Sequence, residues 1–151
     1  MAMMFRGHYE HTIDVKGRTS LPARFRHLLR SGDLPLVVTP ALVDRCLDIY
    51  PLPAWEQFEE KVARLPKWDR DTVLLRRRYV SAAVECELDG HGRLLVPAHL
   101  REHAGLTKHV LWAGVGTTME LWSRRRWNEG QSLSDDQLDQ WTKAIAEKLD
   151  L

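Results

Sequence analysis

Two short stretches carry the residues best equipped for chemistry. The first is Asp14-Val15-Lys16-Gly17-Arg18, and the second, 75 residues later, is Asp89-Gly90-His91-Gly92-Arg93. In each, an acid opens a tight turn, a glycine stands three residues on, and an arginine leaves it. Asp-x-x-Gly is a turn signature: the carboxylate accepts from nearby backbone amides, and glycine takes positive φ without a Cβ penalty. An arginine held beside a rigid turn offers a planar fork of donors that matches phosphate oxygens or a guanine edge. Arg18 and Arg93 are therefore candidate DNA-binding residues, with Asp14, Gly17, Asp89 and Gly92 supporting the turns. Lys16 and His91 occupy equivalent turn positions and add donors. Arg24, Arg26 and Arg101, on or after the helix that follows, are candidates for phosphate contact. The residues allow a structural reading equally well, in which Arg18 and Arg93 pair with Asp14 and Asp89 and only brace the turns. The two roles can also be divided among the arginines.

Other chemistries find less support. His11, Asp14 and Ser20 are close in sequence, but strand side chains alternate faces and no strained nucleophile turn is present. No phosphate-loop or dinucleotide fingerprint occurs, and no close Cys or His pair has zinc spacing. The reading is thus a non-enzyme that needs no cofactor or metal. Cys46 and Cys86 are expected as two reduced, partly buried thiols.

The turns belong to an internal repeat. His11 to Arg26 returns as Cys86 to Arg101, with the shared core Asp-x-x-Gly-Arg-x-x-(Leu/Val)-Pro-Ala-x-(Phe/Leu)-Arg. Further on, Leu47-Asp48-Ile49-Tyr50 matches Met119-Glu120-Leu121-Trp122, and Trp55 matches Trp127, at an offset of 72. Such self-similarity signals a duplicated small unit whose copies are too short to bury a core alone. The copies are expected to share one core, or to be completed by a partner chain.

Each unit reads as strand, turn, strand, helix, strand, strand, helix. Short strands are expected at 10–13 and 85–88, resuming at 18–21 and 93–96. Pro22 and Pro97 stop them and open helices at 23–29 and 98–103, with Gly32 and Gly105 as terminators. Strands follow at 35–39, 47–50, 110–113 and 119–122, and Gly114-Val115-Gly116 reads as the turn between the last two. Helices are expected at 54–65 and 69–79. Ser134 to Gln137 forms a capping box, after which Leu138, Trp141, Ile145 and Leu149 make an apolar stripe. Packing within the chain is the favoured reading of that stripe. The triplets 76–78 and 124–126, all arginine, read as solvated faces.

The overall charge conceals a pattern. Among 151 residues, 22 Lys and Arg oppose 21 Asp and Glu, for a net charge of +1. Yet residues 1–30 hold six basic and two acidic residues, a net +4, and residues 129–151 hold two and six, a net −4. On charge alone the split reads equally as a chance fluctuation in a small protein or as a basic working surface balanced by an acidic tail. No apolar run approaches the roughly 18 residues of a membrane span. The start, Met1 to Arg6, is not followed by a long apolar stretch, so no secretory signal is expected and the cytosol is the expected compartment.

The residues from Met4 to Arg18, the second copy from Glu85 to Leu106, and the continuation through Gly114-Val115-Gly116 to Ser123 resemble the MraZ family of bacterial transcriptional regulators. The resemblance covers roughly residues 3–130. It implies a β-rich α+β fold: duplicated SpoVT-AbrB-like swapped-hairpin β-barrel units with short helices and a C-terminal helix. The corresponding division is a first repeat at 5–52, a helical connection at 53–79, a second repeat at 80–124 and a tail with an acidic helix at 125–151. It also implies a ring-shaped homo-oligomer, cytoplasmic and nucleoid-associated. Such an oligomer would bind double-stranded DNA at short direct repeats in the promoter of its own division and cell-wall gene cluster, usually as a repressor. The arginine of the Asp-x-x-Gly-Arg motif corresponds to Arg18 and Arg93. The residues alone leave open another AbrB-like regulator, of antitoxin or sporulation type, and a protein-interaction or structural module.

Overall fold

Strand exchange between the two halves of the chain organises the molecule. The computed structural model describes residues 4–151; Met1 to Met3, on which the reading of the chain start partly rests, lie outside the described residues. The first half contributes β1 (Phe5–Thr12), β2 (Arg18–Ser20), α1 (Ala23–Leu28), β3 (Leu36–Pro40) and β4 (Leu47–Tyr50). The helical connection is α2 (Leu52–Ala63), α3 (Arg70–Leu75) and a π-helical turn, Arg76–Val80. The second half contributes β5 (Val84–Cys86), β6 (Arg93–Leu95), α4 (Ala98–Ala104), β7 (His109–Gly116) and β8 (Met119–Ser123). It is followed by α5 (Arg124–Gly130) and α6 (Asp135–Lys148).

The main sheet has the order β1-β7-β8-β4-β3-β5. Each half supplies one inner hairpin and gives its first strand to the hairpin of the other: β1 pairs with β7, and β5 pairs with β3. A separate ribbon pairs β2 with β6, again one strand from each half. The shared core expected from the repeat is therefore present. Among the described residues the expected swapped-hairpin barrels do not close: the six-stranded sheet ends at β1 on one side and β5 on the other, and the ribbon is a second open sheet. Beyond its edge strand, each half makes only a single bridge at the turn, Ile13 with Thr19 and Leu88 with Leu94. After each turn the chain leaves its own preceding strand, and β2 and β6 pair with each other instead.

Side-chain alternation separates the two faces of the sheet. Leu36, Val38, Leu47, Ile49, Val110, Trp112, Met119 and Leu121 face inward. They meet Leu94 of the ribbon, Phe25 of α1, and Leu100 and Ala104 of α4 in one buried core. Phe25 is held between Phe5 and Tyr9 in edge-to-face contacts, with ring centroids at 5.5 and 5.1 Å. The outer face is covered at two places. Trp55 and Tyr79 cover Val37, while Trp127 of α5 packs on a cluster containing Leu111, Ala113 and Trp122. Both cysteines are buried and unbridged.

Three local expectations change. Gly114 to Gly116 continue β7, because Gly114 sits against the backbone of Phe5 and Arg6 on β1, where a Cβ has no room. Gly32 lies inside a 3-10 turn and α1 ends beforehand on extended Leu29, whereas Gly105 does cap α4 in the left-handed conformation. The stripe on α6 is left largely uncovered: no residue of this helix is buried, Leu138, Trp141 and Leu149 are exposed, and Ile145 is half-buried.

Candidate nucleic-acid interface

The two turns are built alike. Asp14 Oδ1 accepts from the amides of Lys16 and Arg18 at 3.0 and 2.9 Å, and its Oδ2 accepts from Arg18 Nε at 2.7 Å. Asp89 does the same with His91, Arg93 and Arg93 Nε, at 2.8, 3.0 and 2.8 Å. The Arg93 amide, helped by the His91 amide and the guanidinium, holds the Asp89 carboxyl down to about 2. Asp14 is lowered for the same reason, with the Arg18 amide as the main cause. Gly17 and Gly92 take φ of +95° and +73°, as the turn requires.

The arginine that braces each turn also keeps donors free for a ligand. Each arginine spends Nε on its aspartate, and among the described residues its two terminal Nη groups have no hydrogen-bond partner. The fork is aimed by the ion pair and remains about one-third exposed, at 36% for Arg18 and 33% for Arg93.

Ribbon register then sets the relation between the turns. Arg18 stands opposite Leu95, Thr19 opposite Leu94, and Ser20 opposite Arg93. Residues two apart share a face, so Arg18, Ser20, Arg93 and Leu95 lie on one side, while Thr19 and Leu94 point into the core. The two arginines occupy diagonal corners of the ribbon, with Cα atoms roughly 8 Å apart from strand rise and spacing. Thr19 is polar, yet its Oγ1 is buried without a hydrogen-bond partner among the described residues.

The remaining candidates divide. Lys16 and His91 stand exposed at the turn tips, and Arg24 is exposed on α1. Arg26 and Arg101 are half-buried and hold the turns of the opposite repeat. Arg101 donates through Nε to Val96 O at 3.0 Å and through Nη1 to Val15 O at 3.4 Å. The arginine triplet at 124–126 is not simply a solvated face. Arg124 pairs with Glu10 at 3.3 Å, and Arg126 donates to the carbonyls of His103 and Arg45. His11 does not form a catalytic set, since its Nδ1 donates to the backbone carbonyl of Ser20 at 2.6 Å and Asp14 is occupied by its own turn.

One constellation escaped the sequence reading. Asp48 and Glu120 stand directly opposite each other on β4 and β8, beside buried Cys46. Tyr79 donates its hydroxyl to Asp48 at 2.5 Å, and Trp122 Nε1 donates to Glu120 at 3.0 Å. Burial raises the Asp48 carboxyl, against the Tyr79 bond, and burial also pushes the Cys46 thiol up. The repeat had matched Asp48 with Glu120, but only the meeting of the two halves in one sheet makes them neighbours.

The model of the family described as "MraZ protein, putative antitoxin-like" matches residues 4–78 and again 80–147. The chain belongs to the MraZ family. It is 44% identical over 147 residues to the transcriptional regulator MraZ of Caldanaerobacter subterraneus subsp. tengcongensis, covering 97% of each chain. It is 45% identical to that of Moorella thermoacetica, covering 97% of this chain and 96% of the other. Identity to that of Heliobacterium modesticaldum is 48% over 126 residues, covering 83% and 85%. Membership places the chain among MraZ transcriptional regulators and not among enzymes. Among the described residues, no helix is long and apolar enough to cross a membrane.

Proposed function

We propose that this MraZ-family regulator binds double-stranded DNA through the β2–β6 ribbon, with Arg18 and Arg93 as the principal contacts. One observation carries the reading: the ribbon presents both arginines on one outward face, each aimed by its aspartate and each with its Nη fork open. A two-stranded ribbon fits the major groove, where a bidentate arginine reads guanine. Lys16, His91 and Arg24 add sequence-independent contacts to phosphate. Arg26 and Arg101 act mainly by holding the turns. The two repeats, at 5–52 and 80–124, then form one reading head, joined by 53–79 and followed by the tail at 125–151.

A single ribbon is a small contact area. A ring-shaped homo-oligomer repeats it at fixed spacing, so that weak contacts engage successive direct repeats at high effective concentration. In this reading the target is the promoter of the division and cell-wall cluster headed by the protein's own gene. Occupancy there represses transcription, and the protein works in the cytoplasm at the nucleoid. Fluorescence anisotropy with the DNA upstream of that gene tests the reading. Arg18→Ala and Arg93→Ala should each weaken binding at least tenfold while circular dichroism remains unchanged. Unaltered affinity in both variants would remove the ribbon from the interface.

A further inference from the structure

The C-terminal helix is a helix without a floor. It runs for 14 residues, about 21 Å, and Ser134 and Gln137 cap it reciprocally. Leu138, Trp141, Ile145 and Leu149 follow at spacings of three, four and four, which places them on one face. Three of them are largely open to solvent, at 46, 55 and 61% for Leu138, Trp141 and Leu149. A helix this short is marginal in water unless its apolar face is packed.

The opposite kind of surface lies in the helical connection. Val62 and Ala63 of α2 and Val80 of the π-helical turn form an apolar groove edged by Arg76, Ser81 and Glu59. Arg76 Nη1 donates to Lys67 O at 3.2 Å and ties the groove to the loop that carries exposed Leu65 and Trp68. Residues 61–78 hold seven basic and two acidic residues, a net +5, against the net −4 of residues 129–151.

We propose that α6 of one copy docks into the α2–π-turn groove of the next copy. The inference deepens the oligomeric reading above and rests on it. The apolar stripe covers Ala63 and Val80 above buried Val62 at the groove floor, and the acidic flank of α6 meets Arg76 and its basic neighbours. Lys143 and Lys148, the two bases of α6, are available to Glu59. Helix and groove are different surfaces of the same chain, so the contact is head-to-tail and closes into a ring when the rotation permits.

The test is light scattering on full-length chains, with two variants at exposed positions: Leu138→Glu combined with Trp141→Glu, and Ala63→Glu alone. Circular dichroism checks that both stay folded. The wild type should have a multi-chain mass, and each variant should fall to the single-chain 17.5 kDa. An equimolar mixture of the two variants should regain a two-chain species, because one intact helix then meets one intact groove. If the wild type and both variants share the same multi-chain mass, the docking is overturned while the oligomer stands. Assembly lost only in the helix variant would mean pairing between α6 helices and would overturn the groove. Absence of recovery in the mixture would likewise overturn it. A single-chain wild type would remove the oligomeric reading itself.

Discussion

Arg101, from the second half of the chain, lies over Gly17 of the first, its Nε 2.7 Å from where a Cβ on that glycine would stand. The reciprocal contact places Arg26 of the first half over Gly92 of the second, with Cδ 2.7 Å from the corresponding point. The amide of Val96 donates to Gly17 O at 2.7 Å, and that of Leu21 donates to Gly92 O at 3.0 Å. Each turn is therefore supported by the opposite repeat, and Arg18 and Arg93 share one frame.

Gly17→Ala should destabilise the protein by about 1–2 kcal/mol or more. The left-handed conformation alone costs that much, and Val96 O, a backbone atom that cannot swing away, stands 2.6 Å from the new methyl. Gly90 has no atom within 4 Å of its would-be Cβ, so Gly90→Ala should leave stability unchanged or raise it by about 0.4–1 kcal/mol. Urea unfolding midpoints of the two variants decide the matter.

Thr19→Val should stabilise the fold. Thr19 is 1% exposed with Oγ1 unbonded, and valine has nearly the same shape without the stranded hydroxyl. A gain of about 1–2 kcal/mol follows from the cost of burying an unpaired hydroxyl. Thermal unfolding would show it as a higher Tm with DNA affinity unaltered.

Acid should loosen the turns. The folded Asp89 carboxyl lies at about 2, below its ordinary 3.8, so its contribution is present above the ordinary value and is lost as pH falls toward 2. Asp14 shifts in the same direction. Denaturant midpoints recorded from pH 5 to pH 2 should fall less steeply in Asp89→Asn than in the wild type.

Tyr79→Phe should cost about 1–3 kcal/mol, the penalty for stranding a half-buried carboxylate. The Asp48 carboxyl is already raised by burial, and removing the hydroxyl that opposes this raises it further. A group raised in the folded state destabilises when ionised, so the defect should be larger at pH 7 than at pH 5. Unfolding at both values measures the difference.

Binding to promoter DNA should weaken steeply with salt. Each phosphate contact contributes about 0.9 to the slope of log affinity against log salt, and Lys16→Ala should reduce the slope by about that amount for every turn engaged. Anisotropy titrations over a salt series provide the measurement; a flat response would exclude phosphate contacts.

Much of the fold was legible because its signals are local. Pro22 and Pro97 begin α1 and α4 at the expected residues, and β4 matches the alternation of Leu47 to Tyr50. The turns follow from Asp and Gly acting within five residues. Gly114 misled because the need for glycine came from another strand, and Gly116 because its positive φ of +106° falls inside β7 and not in a separate turn. The exposed stripe of α6 misled because an apolar face reports that it needs a cover, not which molecule supplies it.

The candidate site divides along the same line. The sequence alone determined the Asp-x-x-Gly-Arg turns, their duplication, the basic first segment and the acidic last one, since these depend on residue types at short spacing. Tertiary structure decided that β1 and β5 change partners, that neither sheet closes, and that Arg18 and Arg93 stand diagonally on one ribbon face. It also placed Asp48 against Glu120. These relations join residues far apart in the sequence, as in Leu36 with Cys86 or Phe5 with Gly116, and a two-residue period shows which face a side chain takes but not which strand will lie beside it.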